Sequence, residues 1–294
     1  MKRFHHLKYI VQYFFLLSRL LGLPSALRIG VSKVLPGRQP RDMMRIQPKG
    51  VPHAFWIRLK ETDLKVVFQM FLAREYDLSG FAPYQLHIHD MCERIRGDGD
   101  VPLIIDVGAN IGASTLWFAL NFPGCQVYAV EPDPENFKML RKNVERYPHV
   151  RLFHAGLWDK PTELALTDAS STGWGCRVRE KSCGVSSIPS VTIPDLLNLE
   201  RRLRPVIVKI DIEGAETAAL QSNNAWVDEV PLLVFEAHDN LWHWLGTWQG
   251  SGHAFFSTLV RRKREYLTRG ENTFAFLHPE HGARDDAKPL ARVH

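Results

Sequence analysis

The chain has 294 residues, 45% of them hydrophobic, which supplies a sizeable core and excludes a disordered polymer. Its net charge of +5 is uneven: residues 1–49 carry ten Lys and Arg against the one acid Asp42, a net of +9, which leaves −4 for the remainder. The basic character belongs to the N-terminus, so a nucleic-acid enzyme with a positively charged cleft is not expected. The four cysteines, Cys92, Cys125, Cys176 and Cys183, form no CxxC pair, which excludes a zinc knuckle or redox motif and reads as reduced thiols in a cytoplasmic protein.

In chain order, "HLKYIVQYFFLLSRLLGL" (6–23) is an apolar stretch interrupted by Lys8, Gln12 and Arg19, which share a narrow polar stripe on a helix. Lys8 and Arg19 stand too close together for a bilayer span, which needs about 20 apolar residues. A signal peptide would need a clearer cleavage site than Ser25-Ala26. The segment is expected to lie in a membrane interface, with Arg28, Lys33, Arg38 and Arg41 near acidic headgroups, or else to pack on its own domain. A Pro- and Gly-rich linker spans 36–52. A strand is expected over 53–60, and helices over 62–76 and 85–96. From residue 101, apolar strands (102–106, 126–131, 150–155, 206–210, 231–236, 272–277) alternate with helical stretches (114–121, 134–146, 192–199, 214–221, 252–264). Such alternation predicts an α/β protein with a mainly parallel sheet and helices on both faces. The divisions read as a basic helical segment and linker (1–52), a strand–helix lead-in (53–100), a core domain (101–279) and a charged tail (280–294).

The strand ending at Asp106 runs into Gly108-Ala109-Asn110-Ile111-Gly112 and a helix start, where small residues let a ligand approach free N–H groups. A dinucleotide fingerprint needs GxGxxG; here the middle position is Asn110, whose side chain would crowd a pyrophosphate and suits a ligand with a carboxylate and an ammonium. Glu131 ends the next strand, placed to accept both hydroxyls of a ribose. An amino acid plus a ribose without phosphate describes S-adenosylmethionine. In "VIVKIDIEGAE" (206–216), Lys209, Asp211 and Glu213 alternate toward one face at the carboxyl edge of the sheet, although Glu213 and Glu216 also suit a plain helix start. "PLLVFEAHDN" ends in Glu236 and His238, and there Glu236 is expected to fix the tautomer of a general base. His238 is the first choice of base and Asp211 the second; Lys209 and Glu236 would hold the acceptor, with Glu213 near it. Trp174, in the polar segment 167–176, is a candidate sugar platform. His87, His89 and Asp90 fall on different faces of a helix, so metal independence is expected.

Together "IIDVGANIGAST", "AVEPDPENFKMLRKNV", "VTIPDLL", "VKIDIEGAE" and "VFEAH" resemble the FkbM family of S-adenosylmethionine-dependent methyltransferases, over roughly residues 101–240. The resemblance implies a Rossmann-like class I methyltransferase fold with a seven-stranded sheet, to which residues 1–52 add a helical extension. It implies O-methylation of a hydroxyl on a sugar, glycan or natural product, and a role in polysaccharide biosynthesis. By position, Asp106, Gly108, Asn110 and Gly112 would meet the donor's methionine end, Glu131 and Asp133 its ribose, and Leu157 and Trp158 its adenine. The implied partner is a small-molecule or glycan acceptor, with no nucleic acid: "DIEG" (211–214) stands where a base-methylating enzyme carries Asn/Asp-Pro-Pro-aromatic. Residues 1–35 would make any peripheral contact with the inner face of the membrane. The competing readings are an NAD-dependent oxidoreductase and a non-catalytic partner subunit of a glycan assembly complex.

Overall fold

The computed structural model describes residues 14–34, 43–59, 62–167, 177–180, 187–239, 250–260 and 262–277. The candidate platform Trp174 and the tail after 279 lie outside these described residues.

The described residues begin with two helices, α1 (14–21) and α2 (Leu23–Val34), and a small hairpin follows from β1 (Met44–Ile46) and β2 (Phe55–Ile57). Next come α3 (Asp63–Phe68) and α4 (Ala82–Gly97). The expected helix over 62–76 is real only in its first part: a π-helical turn, Gln69–Ala73, ends it at Arg74, which is left-handed at φ 54°. Leu17, Leu20, Ala26 and Ile29 are buried in the same apolar cluster as Phe55, Ile57, Ile104 and Phe276, so one face of the N-terminal helices packs on the core.

The main sheet has seven strands. In chain order they are β3 (Val101–Val107), β4 (Gln126–Val130), β5 (Val150–Phe153), β10 (Leu203–Ile210), β11 (Leu232–Glu236), β12 (Arg264–Arg269) and β13 (Asn272–Leu277), with β6 to β9 lying elsewhere. Their spatial order is β12-β13-β11-β10-β3-β4-β5. All neighbours from β11 to β5 pair in parallel, and only β13 runs antiparallel to both of its neighbours. Helices α5 (Ala113–Asn121), α6 (Pro134–Val144), α7 (Ile193–Leu197), α8 (Glu216–Leu220) and α9 (Ser251–Leu259) connect the strands. The central strands read as unbroken apolar runs because helices cover both faces; from Pro102 to Val107 every residue of β3 is buried. The chain winds outward from β3 to β5, then returns to place β10 on the other side of β3. That reversal makes a crevice at the carboxyl ends of β3 and β10, where ligands of open α/β sheets bind. The architecture is the class I methyltransferase fold.

A second, four-stranded sheet follows β5, built from β6 (Gly156–Leu157), β7 (Glu163–Thr167), β8 (Arg177–Glu180) and β9 (Ser187–Val191) in the order β6-β9-β7-β8. The sequence did not signal it, because its strands are short and partly exposed. The C-terminal pairing also differs from expectation. The helix expected over 252–264 stops at Leu259, and Gly270 turns a hairpin between β12 and β13 where a helix-to-strand turn was expected. From Tyr266 to Arg269 exposed and shielded residues alternate, which suits a partly covered strand and not the continuation of an amphipathic helix.

Candidate functional site

The site begins where β3 ends. Gly108 has φ 77°, and a Cβ there would lie 1.7 Å from the Asp211 carbonyl oxygen, so the crossing of β3 and β10 admits only glycine. Asn110 is also left-handed, at φ 50°, a conformation that Asn tolerates better than most residues. Its side-chain oxygen accepts from the Ile111 N–H at 2.8 Å, so this oxygen is turned to the main chain and not, as the sequence suggested, toward a ligand. The backbone N–H of Asn110 donates to Glu131 Oε2 at 2.7 Å, and the Asp133 N–H donates to Oε1 at 3.0 Å. Burial pushes the Glu131 carboxyl up to about 7, although these hydrogen bonds pull it down. Gly112, at φ 89°, is the N-cap of α5; a Cβ there would stand 2.8 Å from the Leu140 side chain, so Gly112 serves close packing of α5 on α6.

Below this turn, Asp106 is fully buried, and its Oδ2 accepts from Ser114 Oγ at 2.8 Å and Thr115 Oγ1 at 2.6 Å. Lys209 Nζ lies 3.2 Å from Asp106 and 3.3 Å from Asp211, and donates to the carbonyls of Val107 and Gly108 at 3.1 and 2.7 Å. Burial works against its charge, but the Tyr76 hydroxyl and the Asp106 and Asp211 carboxylates outweigh it and hold its pKa well above the ordinary lysine value. Lys209 thus bolts the end of β10 to the end of β3.

His238 follows β11 and is 5% exposed. Its N–H donates to Ser251 Oγ at 2.7 Å, and its Nδ1 is 2.6 Å from Oε1 of the fully buried Glu216. The partner that orients the imidazole is therefore Glu216 on α8, and the pairing with Glu236 expected from the sequence is corrected. The chain leaves β11 after Glu236 and swings Nδ1 toward α8, while Nε2 faces Glu236 Oε1 only at 3.7 Å. Nε2 also faces Asp211 Oδ1 and Glu213 Oε2, each at 3.6 Å. Burial lowers the imidazole's proton affinity, but the hydrogen bond to Glu216 and the charges of Glu216, Asp211 and Glu213 raise it further, to about 10. Burial, with Asp211 next to it, pushes the Glu236 carboxyl up to about 8.

Two cavities meet here. The smaller, about 40 Å³, is lined by Gly108, Asn110, Glu131, Asn136, Leu157 and Asp211 among others. The larger, about 150 Å³, is lined by Gly108, Asn110, Lys209, Asp211, Glu213, Glu236 and His238, and also by Glu75, Tyr76 and Glu271. Gly108, Asn110, Asp211 and Glu213 border both, so the two form one bent cleft. The predicted residues Asp106, Gly112, Asp133 and Trp158 are not in either lining. Asp133 caps α6, accepting from the N–H groups of Glu135 and Asn136, and Trp158 packs on the apolar cluster beside Leu157. Glu75, Asn136 and Glu271 were not recognised in the sequence, and Glu216 was named there without a role at the site. Only Glu216 carried a local signal there, an acid in the first turn of a helix, and that reads equally well as a helix-dipole contact.

Residues 106–266 match the profile of the methyltransferase FkbM domain. Among curated proteins, the chain is similar to the hexuronic acid methyltransferase AglP of Haloferax volcanii, at 25% identity over 49% of this chain and 64% of that protein. It is also similar to Methyltransferase 1 of Beauveria bassiana, at 32% identity over 26% of this chain and 32% of that protein. These matches thus span less than two thirds of either relative's own length. Among solved structures, the N-terminal domain of human METTL16 is similar at 12% identity, with a TM-score of 0.43 over 87% of this chain and 81% of that one. The matched profile extends over more than half of the chain, from the glycine turn through His238 to β12, and on that ground the protein belongs to the FkbM methyltransferase family.

Proposed function

We propose that the protein transfers a methyl group from S-adenosylmethionine to a hydroxyl of a sugar, glycan or natural-product acceptor. The observation that carries this is the bent cleft: a buried carboxylate, Glu131, faces its narrow arm, and a histidine set among acids faces its wide arm. S-adenosylmethionine supplies, when bound, a methyl group on a positively charged sulfur. Glu131, Asn136 and Leu157 would hold its nucleoside end; Gly108, whose missing side chain leaves the turn open, and the Asn110 main chain would hold its amino-acid end.

The wide arm is the acceptor side. A sugar hydroxyl is weakly acidic, so a base must take its proton as it attacks. His238 Nε2 faces this arm, and Glu216 holds the ring from behind; with its pKa raised to about 10, the imidazole accepts the proton only in its deprotonated fraction, which grows with pH. The acids Glu75, Glu236 and Glu271 line the same arm, which favours a neutral hydroxyl over a bare carboxylate as the group next to them. The name of AglP, a hexuronic acid methyltransferase, supports a sugar as the acceptor class. Calorimetry tests the donor: S-adenosylhomocysteine binds in the micromolar range and NAD does not. Binding of NAD without S-adenosylhomocysteine would move the protein to the oxidoreductases. A labelled methyl donor offered with lipid-linked sugars and glycan fragments then identifies the acceptor, and transfer to none of them, with the donor bound, favours a non-catalytic partner subunit.

We propose further that the protein works in the cytoplasm, at the inner face of a membrane. No helix among the described residues is long and apolar enough to cross a bilayer. While Leu17, Leu20 and Ile29 are buried against the core, Phe15, Leu23 and Leu27 on the same helices are 60%, 61% and 55% exposed, and Arg19 and Arg28 are exposed as well. Apolar side chains flanked by basic ones suit an anionic lipid surface. The protein is expected to co-sediment with anionic vesicles, less so at high salt because screening acts within about 10 Å at 0.1 M. The combined substitutions Phe15→Ser, Leu23→Ser and Leu27→Ser should abolish that binding and leave S-adenosylhomocysteine affinity unchanged. Undiminished sedimentation of this variant would refute the membrane contact. Point substitutions are the right probe, because a deletion of the segment would strip the buried Leu17 and Leu20 from the core.

A further inference from the structure

We propose that Asp211, Glu213 and His238, with Glu236 beside them, form a binding site for one divalent cation of the Mg²⁺ or Mn²⁺ kind, at the bend between the two arms of the cleft. One oxygen from each of Asp211 and Glu213 and one ring nitrogen of His238 lie within 4.8 Å of one another. Ligands about 2.1–2.4 Å from a shared ion stand about 3.0 Å apart when adjacent and about 4.8 Å when opposite. His238 Nε2 is 3.6 Å from both carboxylates and 3.7 Å from Glu236. These separations are too long for hydrogen bonds, and they match neighbouring ligands on an ion about 2.2 Å away. An ammonium group at the same point would hold its acceptors about 4.6 Å apart, at about 2.8 Å from its nitrogen, so the spacing favours a metal over an amine.

A second observation comes from the imidazole itself. His238 is 5% exposed, yet among the described residues its Nε2 makes no hydrogen bond and points into the acids. Its Nδ1 meets Glu216, and a carboxylate only accepts, so Nδ1 keeps its hydrogen, and a cation in the cluster would take the place of the Nε2 proton. A carboxylate behind a histidine whose other nitrogen faces outward is the arrangement that orients metal-bound histidines. Asp211 binds Lys209 through Oδ2 and keeps Oδ1 for the cluster. Oxygen donors with one imidazole and no thiolate suit Mg²⁺ or Mn²⁺ better than zinc. The partial exposure of Asp211 and Glu213 leaves coordination positions open toward the wide arm. Resting on the methyltransferase reading above, an ion there would bind the acceptor hydroxyl and ease the loss of its proton, and His238 would then hold the ion instead of taking the proton itself. The proposal departs from the metal independence expected from the sequence: the members of this site come from two separate strand ends, and no local spacing shows them.

The test uses full-length protein dialysed against a chelator and titrated with Mn²⁺, with free Mn²⁺ followed by electron paramagnetic resonance. One Mn²⁺ is expected per chain, displaced by excess Mg²⁺. Outer-shell partners of metal ligands contribute about 10- to 100-fold in affinity, so Glu216→Gln should weaken binding by that factor, and Asp211→Asn or Glu213→Gln by at least as much. S-adenosylhomocysteine binding in each variant shows that it folds, and Glu213→Gln, at the partly exposed rim, serves if Asp211→Asn does not fold. No Mn²⁺ bound at millimolar concentration, or one bound equally in both ligand variants, overturns the site. If S-adenosylhomocysteine binds in either case, the methyltransferase reading survives that failure. Failure of the donor to bind, with Mn²⁺ bound, would sink the methyltransferase reading and leave the ion site standing.

Discussion

His238→Ala is expected to lower turnover by about 100- to 10,000-fold, the usual contribution of a group that manages a proton in the transition state. The reason is positional. Nε2 faces the wide arm within 3.7 Å of Asp211, Glu213 and Glu236, while Glu216 holds Nδ1 at 2.6 Å. His238 does not line the narrow arm, so affinity for S-adenosylhomocysteine should change little. Glu216→Gln separates orientation from chemistry. The amide retains the size of the side chain but presents either an oxygen or an NH₂ to Nδ1, so the tautomer is no longer held by a carboxylate. Turnover should fall with this variant while acceptor KM stays nearly constant. Asp211→Asn, which alters the bend itself, should lower turnover too. Full activity in both His238→Ala and Asp211→Asn would remove the sheet edge from the reaction and direct attention to Glu75 or Glu271 across the cavity.

Glu131→Ala is expected to weaken donor binding by about 30- to 1,000-fold. Two hydrogen bonds from ribose hydroxyls to a charged acceptor contribute about 2–4 kcal/mol, which converts to that range. The wild-type protein should also show a pH dependence that the variant lacks. With its carboxyl pushed up to about 7, Glu131 carries a proton below that pH in the free protein. Ribose hydroxyls donate to the ionised form and favour it, so binding expels the proton, and affinity falls as pH drops through about 7. The fall is limited to about tenfold per pH unit. Calorimetry with S-adenosylhomocysteine from pH 8 to 5.5 reads both effects. An unchanged affinity in Glu131→Ala would mean that β4 does not end at the donor, and a flat wild-type profile would mean that Glu131 is ionised throughout.

The central sheet was legible from residue types alone because its strands are covered on both faces: β3, β4, β10 and β11 each read as a bounded apolar run. The turn after β3 was legible for a related reason, since a chain crossing as close as Gly108 to Asp211 tolerates only glycine. The short strands of the second sheet and the edge strand β12 were not, because partly exposed strands carry little burial pattern for a sequence to show. Neither was the left-handed backbone of Asn110, nor the turn of its side-chain oxygen to the Ile111 N–H. The site divides in the same way. Asp211, Glu213, Glu236 and His238 could be picked out as polar residues at the ends of buried strands, which is a one-dimensional property. That His238 leans on Glu216, 22 residues earlier and on another element, and that three carboxylates close around its other nitrogen, depends on the sheet order setting β10 beside β11 and on α8 packing behind them. Only tertiary structure decided this, because hydrogen bonds and ion pairs between elements act through distances in space that no spacing along the chain encodes.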